Sequence, residues 1–192
     1  MRTLEERLDE AEQVIQNPSF REDKGAGNEM GYYIFDYPAD QELCVRERIE
    51  YIRKKNEQSN DDYRIVTFDL YDIVIDVLNK KRYLEKCYDF EKTKGLERVT
   101  RSIGNMLRLT SADSLIVQYI KERTPEKSIV FITGVGKCYP ILRSHIVLNS
   151  LNQVIDCVPV VMFYPGNFEG QELMLFGKIK DGNYYRAFRL VD

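Results

Sequence analysis

The chain has few of the residues from which metal centres and disulfide scaffolds are built. It contains one histidine, His145, and four cysteines that lie far apart without a Cys-x-x-Cys pair. Structural zinc sites need closely spaced Cys and His pairs, so we expect neither a metal site nor a cofactor. Dispersed cysteines in a chain that shows no apolar signal region are typical of proteins whose thiols stay reduced. We therefore predict a cytoplasmic protein.

Long apolar runs and a strong charge of one sign are also absent. No run approaches the ~20 apolar residues of a membrane helix, so we expect no membrane span. The net charge is −3, with an acidic surplus in residues 1–62 and a mild basic surplus in residues 63–127. DNA-binding domains usually carry a strongly basic face. We therefore do not expect direct nucleic acid binding. DNA binding through the mildly basic middle of the chain ranks third among the functional hypotheses, after the two given at the end of this subsection.

Short β-branched runs alternate with segments of helical periodicity along the 192 residues. The runs predict strands at residues 32–36, 63–69, 128–133 and 158–163. Such alternation predicts an α/β fold with a mostly parallel sheet flanked by helices and a Rossmann-like or degenerate P-loop-like core. We treat residues 1–192 as a single domain.

The C-terminal segment carries a hairpin signal. Asp181-Gly182 separates two strand-like runs, and Asp-Gly is the dipeptide that two-residue hairpin turns favour. The predicted antiparallel hairpin places four side chains on one face, and aromatic, arginine and methionine side chains are enriched at interfaces. The predicted partner-binding surface is Met174, Lys178, Tyr185 and Arg189.

A glycine-bearing loop follows the third predicted strand. The Walker pattern of a phosphate-binding loop requires glycine where this chain has Phe131, and serine or threonine where it has Cys138. The structural alternative is a sharp strand-to-helix turn in which both glycines need a positive φ. The ligand-loop candidates are Thr133, Gly134, Gly136, Lys137 and Arg143.

Two aspartates follow predicted strands. Asp36 and Asp69 lie at strand ends, where carboxylates from a parallel sheet could meet as metal ligands or as an acid and a base. Capping of the following helix explains Asp36 equally well. His145 lies on a helix predicted to begin at Pro140, where a hydrogen-bonded helix residue is favoured over a general base. We expect no catalytic residues.

Several motifs are similar to those of a known family. Phe131-Ile-Thr-Gly-Val-Gly, Arg143-Ser-His, Val158-Pro-Val-Val-Met-Phe-Tyr-Pro-Gly, Leu175-Phe-Gly and Asp181-Gly-Asn-Tyr-Tyr-Arg-Ala-Phe-Arg resemble the BrxB family. BrxB is the small component of the BREX (bacteriophage exclusion) defence systems. The resemblance covers essentially the whole chain, and its specific motifs begin at residue 128.

The resemblance implies a role in an assembly. The family has no established catalytic residues, and it is encoded beside a methyltransferase, a large ATPase and PglZ, an alkaline-phosphatase-superfamily protein. We therefore interpret the chain as a non-catalytic BREX subunit that binds other BREX proteins, with PglZ as the first candidate. The alternative hypothesis is a degenerate nucleotide-binding or hydrolytic protein that uses the loop from Gly134 to Lys137.

Overall fold

The strands form where the sequence has apolar β-branched runs. The computed structural model of the protein describes residues 2–22, 31–111, 113–183 and 186–192. The strands in this part of the chain are β1 (Tyr32–Tyr37), β2 (Arg64–Asp69), β3 (Ser128–Thr133), β4 (Val160–Glu169), β5 (Glu172–Leu175), β6 (Ile179–Asn183) and β7 (Ala187–Arg189).

Helices form where apolar residues recur every three or four positions. The first helix begins at a capping box, in which the Thr3 hydroxyl accepts from the Glu6 N–H and the Glu6 carboxylate accepts from the Thr3 N–H. None of the described helices is both long and apolar enough to cross a membrane. The helices are α1 (Leu4–Gln16), α2 (Pro18–Glu22), α3 (Glu42–Gln58), α4 (Leu70–Lys80), α5 (Leu84–Lys94), α6 (Leu96–Leu107), α7 (Leu115–Lys121), α8 (Val135–Cys138) and α9 (Ser144–Asn152).

Five of the strands pair in parallel, in the order β2-β3-β4-β1-β7. Tyr32 of β1 lies beside Val160 of β4 on one side and Ala187 of β7 on the other. The predicted mostly parallel sheet flanked by helices is therefore confirmed. The order also means that β1 and β2 are consecutive in sequence but are separated in the sheet by β4 and β3.

The remaining strands extend the C-terminal end of β4. Gly166 of β4 pairs with Leu175 of β5, and Leu175 in turn pairs with Ile179 of β6, both in antiparallel fashion. The turn between β5 and β6 contains Phe176 at φ +55° and Gly177 at φ +65°. The C-terminal antiparallel hairpin is thus present, and it closes at residues 176–178.

The predicted position of the hairpin turn is wrong. Asp181 and Gly182 lie inside β6, where Gly182 is opposite Leu173 of β5. The turn does not form at Asp181 because its carboxylate accepts hydrogen bonds from Arg143 and Ser144 at the start of α9. Residues 187–189 leave the hairpin and pair in parallel with β1.

The helices cover both faces of the sheet. On one face, α1, α2 and α3 pack on a cluster that includes Phe35, Phe131 and Phe163. On the other face, α4 to α9 pack on a cluster that includes Ile132 and Tyr164. Burial on both faces explains why the strands have apolar runs rather than strict alternation of apolar and polar residues.

The buried stripe of α3 runs through Val45, Ile49 and Ile52, and Leu43 lies outside it and is 70% exposed. One local expectation about the helices is wrong. The helix expected from Pro140 begins instead at Ser144. Its first turn is set by Asp181, which accepts from the Ser144 N–H.

Candidate functional site

The loop that resembles a phosphate-binding loop is bonded to the end of β2. Gly134 has φ +73° and leads into the four-residue helix α8. The Lys137 Nζ lies 2.5 Å from the Asp69 Oδ2. The Asp69 Oδ1 accepts from the backbone N–H groups of Tyr71 and Asp72 and so caps α4. The lysine that would approach a phosphate is therefore paired with a carboxylate of the protein.

The remaining positions of this loop are packed into the core. Phe131, at the position where a Walker loop has its first glycine, is fully buried. Thr133 is half-buried and lies beside Asp69 in the β2–β3 ladder. Cys138 is also buried, and this burial, together with the nearby Asp69 charge, raises the pKa of its thiol to about 12. The burial thus favours the protonated thiol, which is a weaker nucleophile than the thiolate.

The two loop glycines are required for different reasons. Gly134 has the positive φ that we predicted, but Gly136 is not among the glycines with positive φ. A Cβ at Gly136 would lie 2.8 Å from the Phe176 ring and 3.3 Å from Pro165. For Gly136 the predicted reason is therefore wrong, since it is close packing that favours glycine there.

Substitution of Gly134 by alanine is expected to destabilise the fold by at least about 2 kcal/mol. The positive φ of Gly134 strains any side chain, and a Cβ would collide with the Asp69 carboxylate that caps α4. Gly170→Ala is the control, because Gly170 has φ +62° and a Cβ added there would meet no residue beyond its chain neighbours within 4 Å. Thermal unfolding followed by circular dichroism should show a larger decrease in melting temperature for Gly134→Ala than for the control. Equal decreases would contradict the role of the Asp69 contact.

The predicted ligand residue Arg143 belongs to a second cluster, here called the Asp181 cluster. Its guanidinium donates to the Asp181 Oδ1 at 2.6 Å and to the Lys180 carbonyl at 2.6 Å. The other carboxylate oxygen of Asp181 accepts from the Ser144 N–H at 3.0 Å and from the Ser144 hydroxyl. Asp181 is 1% exposed. The cluster therefore joins β6 to the start of α9 through an ion pair whose carboxylate is buried.

The Asp181 cluster does not have the geometry of a catalytic triad. His145 donates from Nδ1 to the backbone carbonyl of Asp181, whereas the Asp181 carboxylate contacts Ser144 and Arg143. In a catalytic triad the carboxylate forms a hydrogen bond with the histidine, and the histidine forms a hydrogen bond with the serine. Tyr164 packs nearby, and its burial and the Asp181 charge raise the pKa of its phenol. The arrangement is that of a structural connection between strand and helix.

A third cluster lies at the end of β1. The Asp36 carboxylate accepts from the Arg7 guanidinium at 2.7 Å and from the Phe168 N–H at 2.9 Å, and the Arg189 guanidinium lies 3.5 Å away. Arg7 also donates to the Asp36 carbonyl at 2.8 Å and stacks on Phe35. Asp36 therefore holds together α1, β1, β4 and β7, and it does not cap a helix.

The two strand-end aspartates do not meet. Asp36 lies at the end of β1 and Asp69 at the end of β2, and β4 and β3 separate these strands. The strand order therefore rules out a carboxylate site shared by Asp36 and Asp69 beyond the sheet. In the part of the chain that the structure describes, no group of three or more His, Cys, Asp or Glu side chains could hold a metal ion.

A cleft of about 850 Å³ opens beyond the ends of β1 and β4. Ligands of open α/β sheets bind beyond the carboxyl ends of the strands. The arginines that line the cleft, Arg2, Arg7 and Arg189, contact Glu10 or Asp36. Its lining also contains Phe176, which is 37% exposed. The cleft has the place of a ligand site, but its cations are already paired within the protein.

The described members of the predicted partner-binding set do not form one face. Met174 lies half-buried on β5, Lys178 lies exposed in the turn after β5, and the Arg189 side chain turns towards Phe168 and Asp36. Tyr185 lies outside the described residues. The shared face is absent because the hairpin closes before Asp181. A role of these residues in partner binding stays a prediction.

The arginines that bind Asp36 were missed as a site by sequence reasoning. Arg7 is one of several charged residues on α1, and Arg189 was singled out only as a surface residue. The available signal was Asp36 itself, a charged residue inside the apolar run Tyr32-Tyr-Ile-Phe-Asp-Tyr. A buried carboxylate requires a cationic partner, but the sequence does not say which one.

Comparison with known proteins agrees with the motifs. The family model "BREX protein BrxB" matches residues 66–190. A BREX protein BrxB of Bacillus cereus (strain H3081.97) is 51% identical over 194 residues, covering 100% of both chains. The chain belongs to the BrxB family. A BrxB of Escherichia coli O9:H4 (strain HS) is 34% identical over 98% of this chain and 92% of its own length. No solved structure matches the chain.

Membership of the BrxB family identifies the chain as a component of a BREX phage-defence system. The full-length matches show that the resemblance extends beyond the motifs after residue 128. The clusters around Asp69, Asp181 and Asp36 are therefore features of a BrxB protein, and they give this family member its strand-to-helix connections.

Proposed function

We propose that this BrxB protein is a non-catalytic subunit of a BREX complex that acts in the cytoplasm by binding another BREX protein. PglZ is the first candidate partner. The names of the relatives support a place in the BREX system. The proposal for a specific partner comes from the proteins that the family is encoded beside, and it requires no cofactor and no contact with DNA or a membrane.

The observation that carries the non-catalytic role is the pairing of the charged side chains at the strand ends. Lys137 is paired with Asp69, Arg143 with Asp181, and Arg7 with Asp36. A general base or a phosphate-binding cation has to be available to the substrate. Here each charge is bonded to a residue of opposite charge, and each pair connects two elements of the fold.

The loop from Gly134 to Lys137 gives little support to the nucleotide-binding alternative. Its helix α8 has four residues, and its lysine is bonded to Asp69. A phosphate would have to displace this carboxylate, and a nearby negative charge opposes the binding of an anion. The buried Phe131 also fills the position where the backbone of a Walker loop approaches the phosphates.

Two measurements test the proposal. The tagged chain, co-expressed in turn with each neighbouring BREX protein, is expected to co-purify with PglZ at a constant ratio.

The purified chain is expected to hydrolyse neither ATP nor bis-p-nitrophenyl phosphate, because the strand-end charges are paired. Lys137→Ala is compared with Lys127→Ala, which changes another exposed lysine. Turnover that only Lys137→Ala abolishes would contradict the non-catalytic role, and absence of PglZ from the purified material would contradict this choice of partner.

A further inference from the structure

The edge strand β2 has backbone groups available for another strand. It pairs with β3 alone among the described strands. The Arg64 N–H points inward, towards β3, and donates to the Lys127 carbonyl. The Ile65 N–H points outward, away from β3, and donates to the Asn56 side chain. Because backbone groups alternate in direction along a strand, those of Thr67 also point outward. Within the described chain they have no partner.

Asn56 occupies the first part of this edge. Its side chain is buried, and its carbonyl accepts from the Ile65 N–H at 2.8 Å while its amide donates to the Tyr63 carbonyl at 3.4 Å. One side chain thus makes the contacts that a neighbouring strand would make at residues 63 and 65. The edge that remains available begins after Ile65 and includes Thr67.

A groove of about 600 Å³ runs along this available edge. Its walls are Arg53 of α3 on one side, and Arg123 and Pro125 after α7 on the other. Thr67 lines the groove, and its hydroxyl is buried and has no hydrogen-bond partner among the described residues. A buried hydroxyl without a partner is unfavourable, so a ligand group that bonded to it would bind more tightly.

The groove is lined by the arginines Arg53, Arg64 and Arg123 and by the carboxylates Glu50 and Glu57, so its lining has a net charge of +1. Arg53 is neutralised by Glu50 at 2.8 Å and Glu57 at 3.1 Å. Arg64 donates only to backbone carbonyls and contacts no carboxylate within the described ranges. Arg123 lies 3.4 Å from an exposed carboxylate next to it in sequence and stacks on an aromatic ring. Acidic side chains in a bound segment would be attracted by both arginines.

We propose that the edge of β2 binds an extended acidic segment of a partner protein, which adds to the sheet as a further strand. The proposal rests on the proposed function, the binding of another BREX protein, and it names where that protein binds. Addition of a strand uses the outward N–H and C=O groups for affinity and the flanking side chains for specificity. A second copy of this chain fits less well, because it would bring another Arg64 and Arg123 to a groove that is already positive.

An array of overlapping twelve-residue peptides from the neighbouring BREX proteins tests this proposal, with the purified full-length chain as the probe. We expect binding to acidic segments and at least a tenfold loss of binding for Thr67→Pro. Proline removes the outward N–H of Thr67 and leaves the inward bonds of β2 in place. Circular dichroism checks that the variant is folded.

A charge-reversal variant keeps the test decisive if Thr67→Pro does not fold. Arg64→Glu combined with Arg123→Glu should abolish binding to the acidic segments, whereas the control Arg101→Glu, on the exposed face of α6, should leave it unchanged. No bound segment, or binding that persists in both edge variants, overturns the proposal. Full-length PglZ that still co-purifies with these variants would leave the proposed function standing and place the interface elsewhere.

Discussion

Replacement of Asp181 by alanine is expected to lower the melting temperature by on the order of 10 °C, which corresponds to about 3 kcal/mol for a chain of this size. The substitution leaves Arg143 without its carboxylate and removes the acceptor of the Ser144 N–H at the start of α9. Breaking a buried ion pair costs ~3–5 kcal/mol. We take the lower end because Arg143 is 37% exposed.

The control for this prediction is Asp156→Ala. Asp156 is an exposed aspartate after α9 without an ion pair among the described residues, so its removal should change stability by less than about 0.5 kcal/mol. Thermal unfolding of both variants at pH 7 provides the comparison. A melting temperature for Asp181→Ala within about 2 °C of the unmodified chain would show that the Asp181 cluster contributes little.

Separation of Arg7 from Asp36 is expected to have an effect of similar size. Asp36→Ala and Arg7→Ala should each destabilise the fold by about 3 kcal/mol, because each leaves the partner charge largely buried and unpaired. The Arg7 and Asp36 side chains are 16% and 10% exposed. The free energy of unfolding of the double variant should fall by less than the sum of the decreases in the two single variants, with a coupling energy of about 1–3 kcal/mol.

Urea unfolding at 25 °C of the two single variants and the double variant measures this coupling. Asp40→Ala is the matched control, because Asp40 lines the same cleft, is exposed and has no ion pair within the described part of the chain. Its double variant with Arg7→Ala should show additive losses. Additive losses for Arg7 and Asp36 would mean that Phe168 and Arg189 alone hold the carboxylate in place.

The sequence was sufficient to predict the positions of β1 to β4 and a mostly parallel sheet. Helices cover both faces of the sheet, so a central strand is buried on both sides. Its sequence is therefore a continuous apolar run, such as Ser128–Thr133. The position of the hairpin turn was not predictable from the Asp-Gly signal. A turn propensity is a local preference, and the long-range bonds of Asp181 to Arg143 and Ser144 outweigh it.

The candidate site depended on strand order, which the sequence does not contain. Asp36 and Asp69 occupy equivalent places at the ends of consecutive strands, and only the order of the sheet shows that they are far apart. The same order makes β2 an edge and so creates the groove beside Thr67. The departures of the glycine loop from the Walker pattern at Phe131 and Cys138 are local, so the sequence alone allows them to be assessed residue by residue.

The position of β1 between β4 and β7 has a consequence for the synthesis of the protein. Tyr32 pairs with Val160 and Ala187, which the ribosome adds roughly ten seconds later at ~5–20 residues per second. During that interval the apolar strand Tyr32–Tyr37 has neither neighbour, although α1 and α3 can already form. A nascent chain that stops before residue 160 therefore exposes both edges of β1, and such fragments are expected to aggregate or to require a chaperone.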